Sequence, residues 1–311
     1  SDDDLRRRAS RMARHQGGIA AAARAFTAEG RAPADATTFQ HLLDKHPDES
    51  RPARETVRDA AAGDPAWQPE HPFDPASVRA LIMQKSALSA PGMDGLRVSH
   101  LQSALSTPHG VDRLPAVWAE LWTIVFETPD SLPPEWWRLF AMARLSAVGP
   151  KRRPIAVGST MRRMFASVWC AECRPWLEEI FREAGQFGAA VRGGVEQVGL
   201  WARLHHEVGH WLIALEAANA FNSVSCATMF RSLATVLPCL LPFVGKLYGG
   251  EPPSLFFRMD SGDMRNIPSR TGAQQGDPLG VVLFCIAILP AIWAFRTRAA
   301  GTPGVAYVDD I

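Results

Sequence analysis

Apolar residues along the chain recur mostly at helical spacing, broken by a few short apolar runs of strand length. From Asp4 to about Pro47 the pattern predicts helices, including the Ala-rich run Ile19 to Phe26. From His46 to about Phe73 the composition turns to Asp, Glu, Pro and Arg, which predicts a linker holding a short helix. Asp74 followed by Pro75 reads as an N-cap and first helical position, opening a helix to about Leu88. Further helices are expected near Val111 to Glu127 and after Pro134. Arg153 to Val157 reads as a strand, and Ser159 or Thr160 caps a long helix that Pro175 should kink. A short strand follows, punctuated by Gln186-Phe187-Gly188 and Gly193-Gly194-Val195-Glu196, and a helix then runs toward Glu207. Trp211 to Leu215 is an apolar strand candidate ending at Glu216, after which Asn219-Ala220-Phe221-Asn222 turns into a helix. Ser254 to Arg258 and Met264 to Ile267 read as a hairpin across Asp260-Ser261-Gly262-Asp263. An apolar helix from about Leu279 to Phe295 precedes a last strand, Gly304 to Val308, which delivers Asp309 and Asp310. These elements predict an α+β fold with no internal repeat.

Composition narrows the picture. A chain of 311 residues with 47% hydrophobic and 21% charged residues builds a sizeable core, in one large domain or two. With a formal net charge of +1, any basic surface must be local. One such stretch exists: between Glu135 and Glu172 there is no acid, while Arg138, Arg144, Lys151, Arg152, Arg153, Arg162 and Arg163 all fall there. A basic turn feeding a strand suits a phosphate clamp, because guanidinium forks match phosphate oxygens; a solvated basic face is the plainer alternative. Five cysteines predict a reduced intracellular setting rather than a disulfide framework. Cys170 and Cys173 lack partners for a four-ligand zinc site. No uninterrupted run of about 18 apolar residues occurs, so no membrane span is expected. The opening Ser1 and its three aspartates read as an excised or processed start with no secretory signal.

Two adjacent acids repel, and at the end of a buried strand a cation between them relieves the cost. Asp309 and Asp310 are therefore metal-site candidates, and Glu216, at the end of another strand candidate, is a third. A second candidate chemistry is His206-Glu207-Val208-Gly209-His210, which satisfies the H-E-x-x-H pattern of zinc proteases. That pattern needs both histidines on one helical face, whereas Trp211 to Leu215 predicts the helix to end by the second.

In order along the chain stand Ser89-Ala90-Pro91-Gly92-Met93-Asp94-Gly95, Arg153-Pro154-Ile155-Ala156-Val157, Gln186-Phe187-Gly188 with Gly193-Gly194-Val195-Glu196, Glu216 with Asn219-Ala220-Phe221-Asn222, Gln274-Gln275-Gly276-Asp277-Pro278-Leu279-Gly280, and Tyr307-Val308-Asp309-Asp310. From about Asp74 to Ile311 the chain resembles a reverse transcriptase of the non-LTR retrotransposon kind. The resemblance implies right-hand polymerase fingers over residues 74–200 and a palm over 201–311 with an antiparallel sheet, preceded by a helical N-terminal extension and linker over 1–73, with the thumb absent. It implies that Glu216, Asp309 and Asp310 are catalytic and, with the Ala217 carbonyl, hold two magnesium ions, manganese being the substitute. It assigns Lys151, Arg153, Phe221, Gln275 and Gly276 to the incoming deoxynucleotide, with the Phe221 ring excluding a ribose 2′-hydroxyl. Arg144, Arg152, Arg162 and Arg163 are expected to face the template. The implied partners are an RNA template, a DNA primer and deoxynucleoside triphosphates, with no membrane, in the nucleus.

Two departures bear on activity. The family has Asp where Glu216 stands, and an added methylene moves the carboxylate; a misplacement of about 1 Å can cost on the order of a hundredfold in rate. The sequence also ends at the catalytic turn, so either a fragment of a longer chain or a truncated palm of doubtful competence is expected. The alternatives are a decayed or domesticated relative that binds RNA or protein without catalysis, and the H-E-x-x-H zinc protease.

Overall fold

The computed structural model describes residues 30–48, 73–299 and 304–308. The expected helices over Ile19 to Phe26 and within the 49–72 linker, and the acids Asp309 and Asp310, lie outside the described residues.

The architecture is mixed α+β, with twelve α-helices and one four-stranded sheet among the described residues. Strand β1 (Ala143–Val148) pairs antiparallel with β2 (Arg153–Gly158) and parallel with β3 (Ser254–Arg258), which forms an antiparallel hairpin with β4 (Met264–Pro268). The sheet order is β2-β1-β3-β4. Inward positions alternate as a half-covered sheet requires. Ala143, Leu145 and Ala147 of β1, Ala156 of β2, Leu255 and Phe257 of β3 and Ile267 of β4 share one small core with Leu42. Helix α1 (Ala36–Asp44), capped by the Asp35 carboxylate accepting from the Thr38 N–H, lies on that face. Its Phe39 ring stacks on Phe257, with centroids 6.4 Å apart.

A larger core joins the remaining helices. Helices α2 (Pro75–Gln84), α3 (Val98–Leu105) and α4 (Gly110–Glu127) bring Phe73, Ile82, Trp118 and Trp122 against Phe165 and Trp169 of α6 (Thr160–Glu172). The Asp74 carboxylate accepts from the N–H groups of Ala76 and Ser77, and Pro75 occupies the first turn, as the sequence predicts. Helix α5 (Pro134–Ala141) leads into β1. Pro175 separates α6 from α7 (Arg174–Ala184) instead of kinking one long helix; a proline that cannot donate to the preceding turn begins the new one. Helix α8 (Gly194–Glu207) has only Gly194 buried. The one-turn α9 (Ala220–Ser223) and α10 (Cys226–Val236) pack on α12 (Pro278–Arg298), and α11 (Leu241–Tyr248) packs on α10, α4 and α5.

Helix α12 has 21 residues and, by length and composition, is apolar enough to cross a membrane. It packs on α6, α7 and α10 and buries ten residues from Leu279 to Ile292, so its hydrophobicity is accounted for by the protein core.

Trp211 to Leu215 is not a strand among the described residues. Only Glu216 at its end enters a single bridge, and Trp211 is 96% and Ile213 80% exposed. A short apolar run is compatible with a strand, but a strand exists only when a neighbour takes up its backbone groups. The sheet is likewise mixed rather than wholly antiparallel, because β1 and β3 run the same way.

Candidate functional site

The β1–β2 turn raises Lys151 and Arg153 into solvent at the start of an edge strand, where neither needs a protein partner. The free edge of β2 is met by the 274–277 turn: the Ala156 N–H donates to the Gln275 carbonyl at 2.7 Å. Gly276 makes this approach possible. Its φ is +112°, and a Cβ there would stand 2.7 Å from the Ala156 carbonyl oxygen.

Behind the turn sits Arg162, 1% exposed. It donates from Nη2 to Gln274 Oε1 at 2.7 Å and from Nη1 to the Ala141 carbonyl at 2.5 Å. Its Nε lies 3.1 Å from Asp277 Oδ2 without hydrogen-bond alignment, so that contact is an ion pair only. The other carboxylate oxygen of Asp277 accepts from the Leu279 N–H and caps α12. One buried pair thus fixes both the turn carrying Gln275 and the start of the central helix.

The opposite wall is residues 216–222. Asn219 takes a left-handed conformation, φ +54°, and its side chain donates to the Lys45 carbonyl at 2.9 Å and to Ser223 Oγ at 3.1 Å, while its Oδ1 accepts from Asn222 at 3.1 Å. The Phe221 ring stacks on Phe284 of α12, centroids 4.8 Å apart, and its carbonyl accepts from the Ala273 N–H at 2.8 Å. Between the walls is a cleft of about 540 Å³ lined by Lys45, Lys151, Arg153, Pro154, residues 216–222 and Gln275. That volume lies within the range of small-molecule sites. Three basic side chains and one carboxylate, Glu216, reach it, and no ion pair among the described residues engages the basic three. Unpaired cations converging on a cleft attract a polyanion.

No protein-family model matches the chain, and no curated protein matches it.

Of the residues singled out in the sequence, Lys151, Arg153, Glu216, Ala217, Phe221 and Gln275 line this one cleft, with Gly276 shaping the turn behind Gln275. Asp309 and Asp310 lie outside the described residues, but the backbone leading to them is held. The Gln186 side chain, fully buried, donates to the Val308 carbonyl at 3.1 Å and accepts from the Val308 N–H at 2.9 Å. Phe187 N–H donates to the Ala306 carbonyl at 2.7 Å. Gly188 completes the fit, since a Cβ there would stand 2.1 Å from the Val308 nitrogen.

The expected template arginines do not form one surface. Arg162 is buried as described and is not available to a template. Arg163 is also turned inward, donating to the carbonyls of Ala90 at 2.6 Å and Gly158 at 3.1 Å, so it ties the Ser89–Gly95 loop to the end of β2. Burial first, and the adjacent Arg162 second, lower its pKa from the ordinary arginine value. Arg152 lies by Asp35, whose carboxyl is held below its usual range mainly by hydrogen bonding to Thr38 and in smaller part by Arg152. Arg144 is half-buried with Arg31 and Arg97 near it; burial, then those two charges, lower its pKa. The reason for the correction is helical period. Arg162 and Arg163 occupy the first turn of α6, where adjacent side chains diverge into whatever neighbours the fold supplies, and those are carbonyls and Asp277.

The zinc-protease pattern is not met as a helical pair. Helix α8 ends at Glu207, Gly209 has φ +87°, and His210 Nδ1 lies 2.8 Å from His205 rather than joining His206 on one face. Sequence reasoning missed Lys45, Asn219 as a bracket for it, and Gln186. The Gln-Phe-Gly box flagged the last position, but its bond to a residue far along the chain has no local signal.

Proposed function

We propose that this chain is the nucleotide-binding and polymerising part of a reverse transcriptase of the non-LTR kind, with fingers and palm arrangement, adding deoxynucleotides to a primer on an RNA template. The observation that carries the proposal is that Lys151, Arg153, Glu216, Phe221 and Gln275, distant in the chain, line one cleft. In this reading Arg153 and Lys151 bind the triphosphate, through a fork of donors and a point charge respectively. Gln275 lies against the nucleotide, held by the β2 edge. Phe221, backed by Phe284, occupies the space of a 2′-hydroxyl and selects the deoxy sugar.

The donor set fits a divalent cation as far as the described residues reach. Glu216 and the Ala217 carbonyl are hard oxygen donors on the cleft wall, and Asp309 and Asp310 are the proposed remainder. Magnesium bound there would activate the primer hydroxyl and neutralise phosphate charge. The protein's own part is to orient the triphosphate and to exclude the wrong sugar. The longer Glu216 side chain favours a second reading, in which the cleft binds but does not polymerise.

The test is equilibrium binding of a deoxynucleoside triphosphate with magnesium, followed by primer extension on an RNA template. Binding that Arg153→Ala weakens, together with incorporation, is the expected result. Binding without incorporation supports the second reading. Absence of binding, or binding indifferent to Arg153→Ala, sinks both.

A further inference from the structure

Lys45 is the one residue lining the cleft that comes from the N-terminal segment, and its placement follows from how that segment crosses the sheet. At the β1–β2 turn the Gly149 N–H donates to the Gly30 carbonyl at 2.8 Å and the Ala32 N–H to the Ala147 carbonyl at 3.0 Å. At the β3–β4 turn Ala34 and Asp260 exchange two hydrogen bonds: Ala34 N–H to the carboxylate at 3.0 Å, and Asp260 N–H to the Ala34 carbonyl at 2.9 Å. Helix α1 then runs over the sheet with Leu42 wholly buried. Its far end is pinned by Asn219 on the Lys45 carbonyl and by an Arg270–Asp48 ion pair at 2.9 Å. Residues 30–48 are therefore a strap joining the basic turn to the Glu216–Asn222 wall.

The root of Lys45 is fixed on both sides. Its N–H donates to the His41 carbonyl at 3.1 Å and its carbonyl accepts from Asn219. Only the side chain remains to be ordered by a ligand, which lowers the entropy of capturing an anion. No carboxylate pairs with its ammonium among the described residues. His46 beside it is turned to the protein, its Nδ1 2.6 Å from the Leu42 carbonyl, and burial lowers its pKa.

We infer that Lys45 is a third cationic contact for the phosphates of the nucleotide, supplied by the N-terminal strap from the wall opposite Lys151 and Arg153. The inference rests on the proposed nucleotide site. It makes the strap a working part of that site.

The test compares the wild type, Lys45→Ala, Lys45→Arg and Arg153→Ala for binding of a deoxynucleoside triphosphate and of the corresponding nucleoside, with thermal melts alongside. Lys45→Ala is expected to weaken triphosphate binding by about tenfold or more, the size of one lost charge-assisted hydrogen bond. Nucleoside binding and the melt should stay at wild-type values, and Lys45→Arg should retain most of the affinity. If Lys45→Ala lowers the melt, Lys45→Gln, which keeps the apolar stem, is read in its place. Wild-type binding that falls with Arg153→Ala but not with any Lys45 variant overturns this inference alone. A wild type that binds no triphosphate overturns the nucleotide site and this inference with it.

Discussion

Replacing Arg162 by methionine keeps the unbranched apolar stem and removes the guanidinium with its buried charge. Three acceptors lose their donor, Gln274 Oε1 and the carbonyls of Ala141 and Phe140, and the carboxylate of Asp277 loses its ion-pair partner. Asp277 keeps its bond from the Leu279 N–H but would be an anion with a side chain 4% exposed and no direct ion pair. Breaking a buried pair from one side costs about 3–5 kcal/mol. Against a typical total of about 5–15 kcal/mol, that is a large share of the stability. Restoring neutrality with Arg162→Met/Asp277→Asn should recover part of the loss, because asparagine can still cap α12 while no charge remains buried. The assay is urea unfolding followed by tryptophan fluorescence, for which the chain's ten tryptophans give ample signal. A single Arg162→Met variant within about 1 kcal/mol of the wild type, or a double variant weaker than the single, would refute the claim that this pair holds the Gln275 turn.

Gly276→Ala should destabilise by about 1–3 kcal/mol, since φ +112° is closed to alanine and its Cβ meets the Ala156 carbonyl; a melt unchanged from the wild type would contradict this. Asp74→Ala should cost about 1 kcal/mol through the lost cap, while Asp74→Asn should not. Because hydrogen bonding to Ser77 lowers the Asp74 pKa below its unfolded value, the carboxylate's contribution is present above that value and fades as pH falls through the folded one, which unfolding curves taken below about pH 4 measure. Burial pushes the Cys173 thiol up to about 12 and the Cys239 thiol up to about 11. Their contribution is whole below the unfolded pKa of about 9 and is lost as pH rises through the folded values. Alkylation at neutral pH should therefore be slow for the buried Cys173 until urea unfolds the chain, and less hindered at the half-buried Cys239; rapid modification of Cys173 in the native protein would contradict its burial.

How much of the site could be read in advance follows from the range of the forces involved. Local chemistry was legible: Asp74-Pro75 opened α2, Ser159 capped α6 with its hydroxyl on the Arg162 N–H, and the hairpin of β3 and β4 fell where the turn residues place it. These depend on groups within about four residues of one another. The co-lining of a cleft by Lys151, Arg153, Phe221 and Gln275 was legible only as an order of boxes. The arginines after Ser159 were misjudged because their charge is a property of the residue, whereas their direction is a property of the neighbours. Trp211 to Leu215 has the apolar run of a strand and lacks, among the described residues, a partner to make it one.

The sequence by itself determined helices α2 and α4, the caps at Asp74 and Ser159 and the set of chemically competent residues, because each follows from backbone sterics and side-chain period over a short span. Tertiary structure alone decided that Arg162 became the buried brace of the Gln275 turn, that Gln186 holds the backbone of Val308, and that a lysine from the N-terminal strap enters the cleft. Those outcomes turn on which distant carbonyl or carboxylate stands within about 3 Å of a donor, a relation between remote segments that no local pattern encodes.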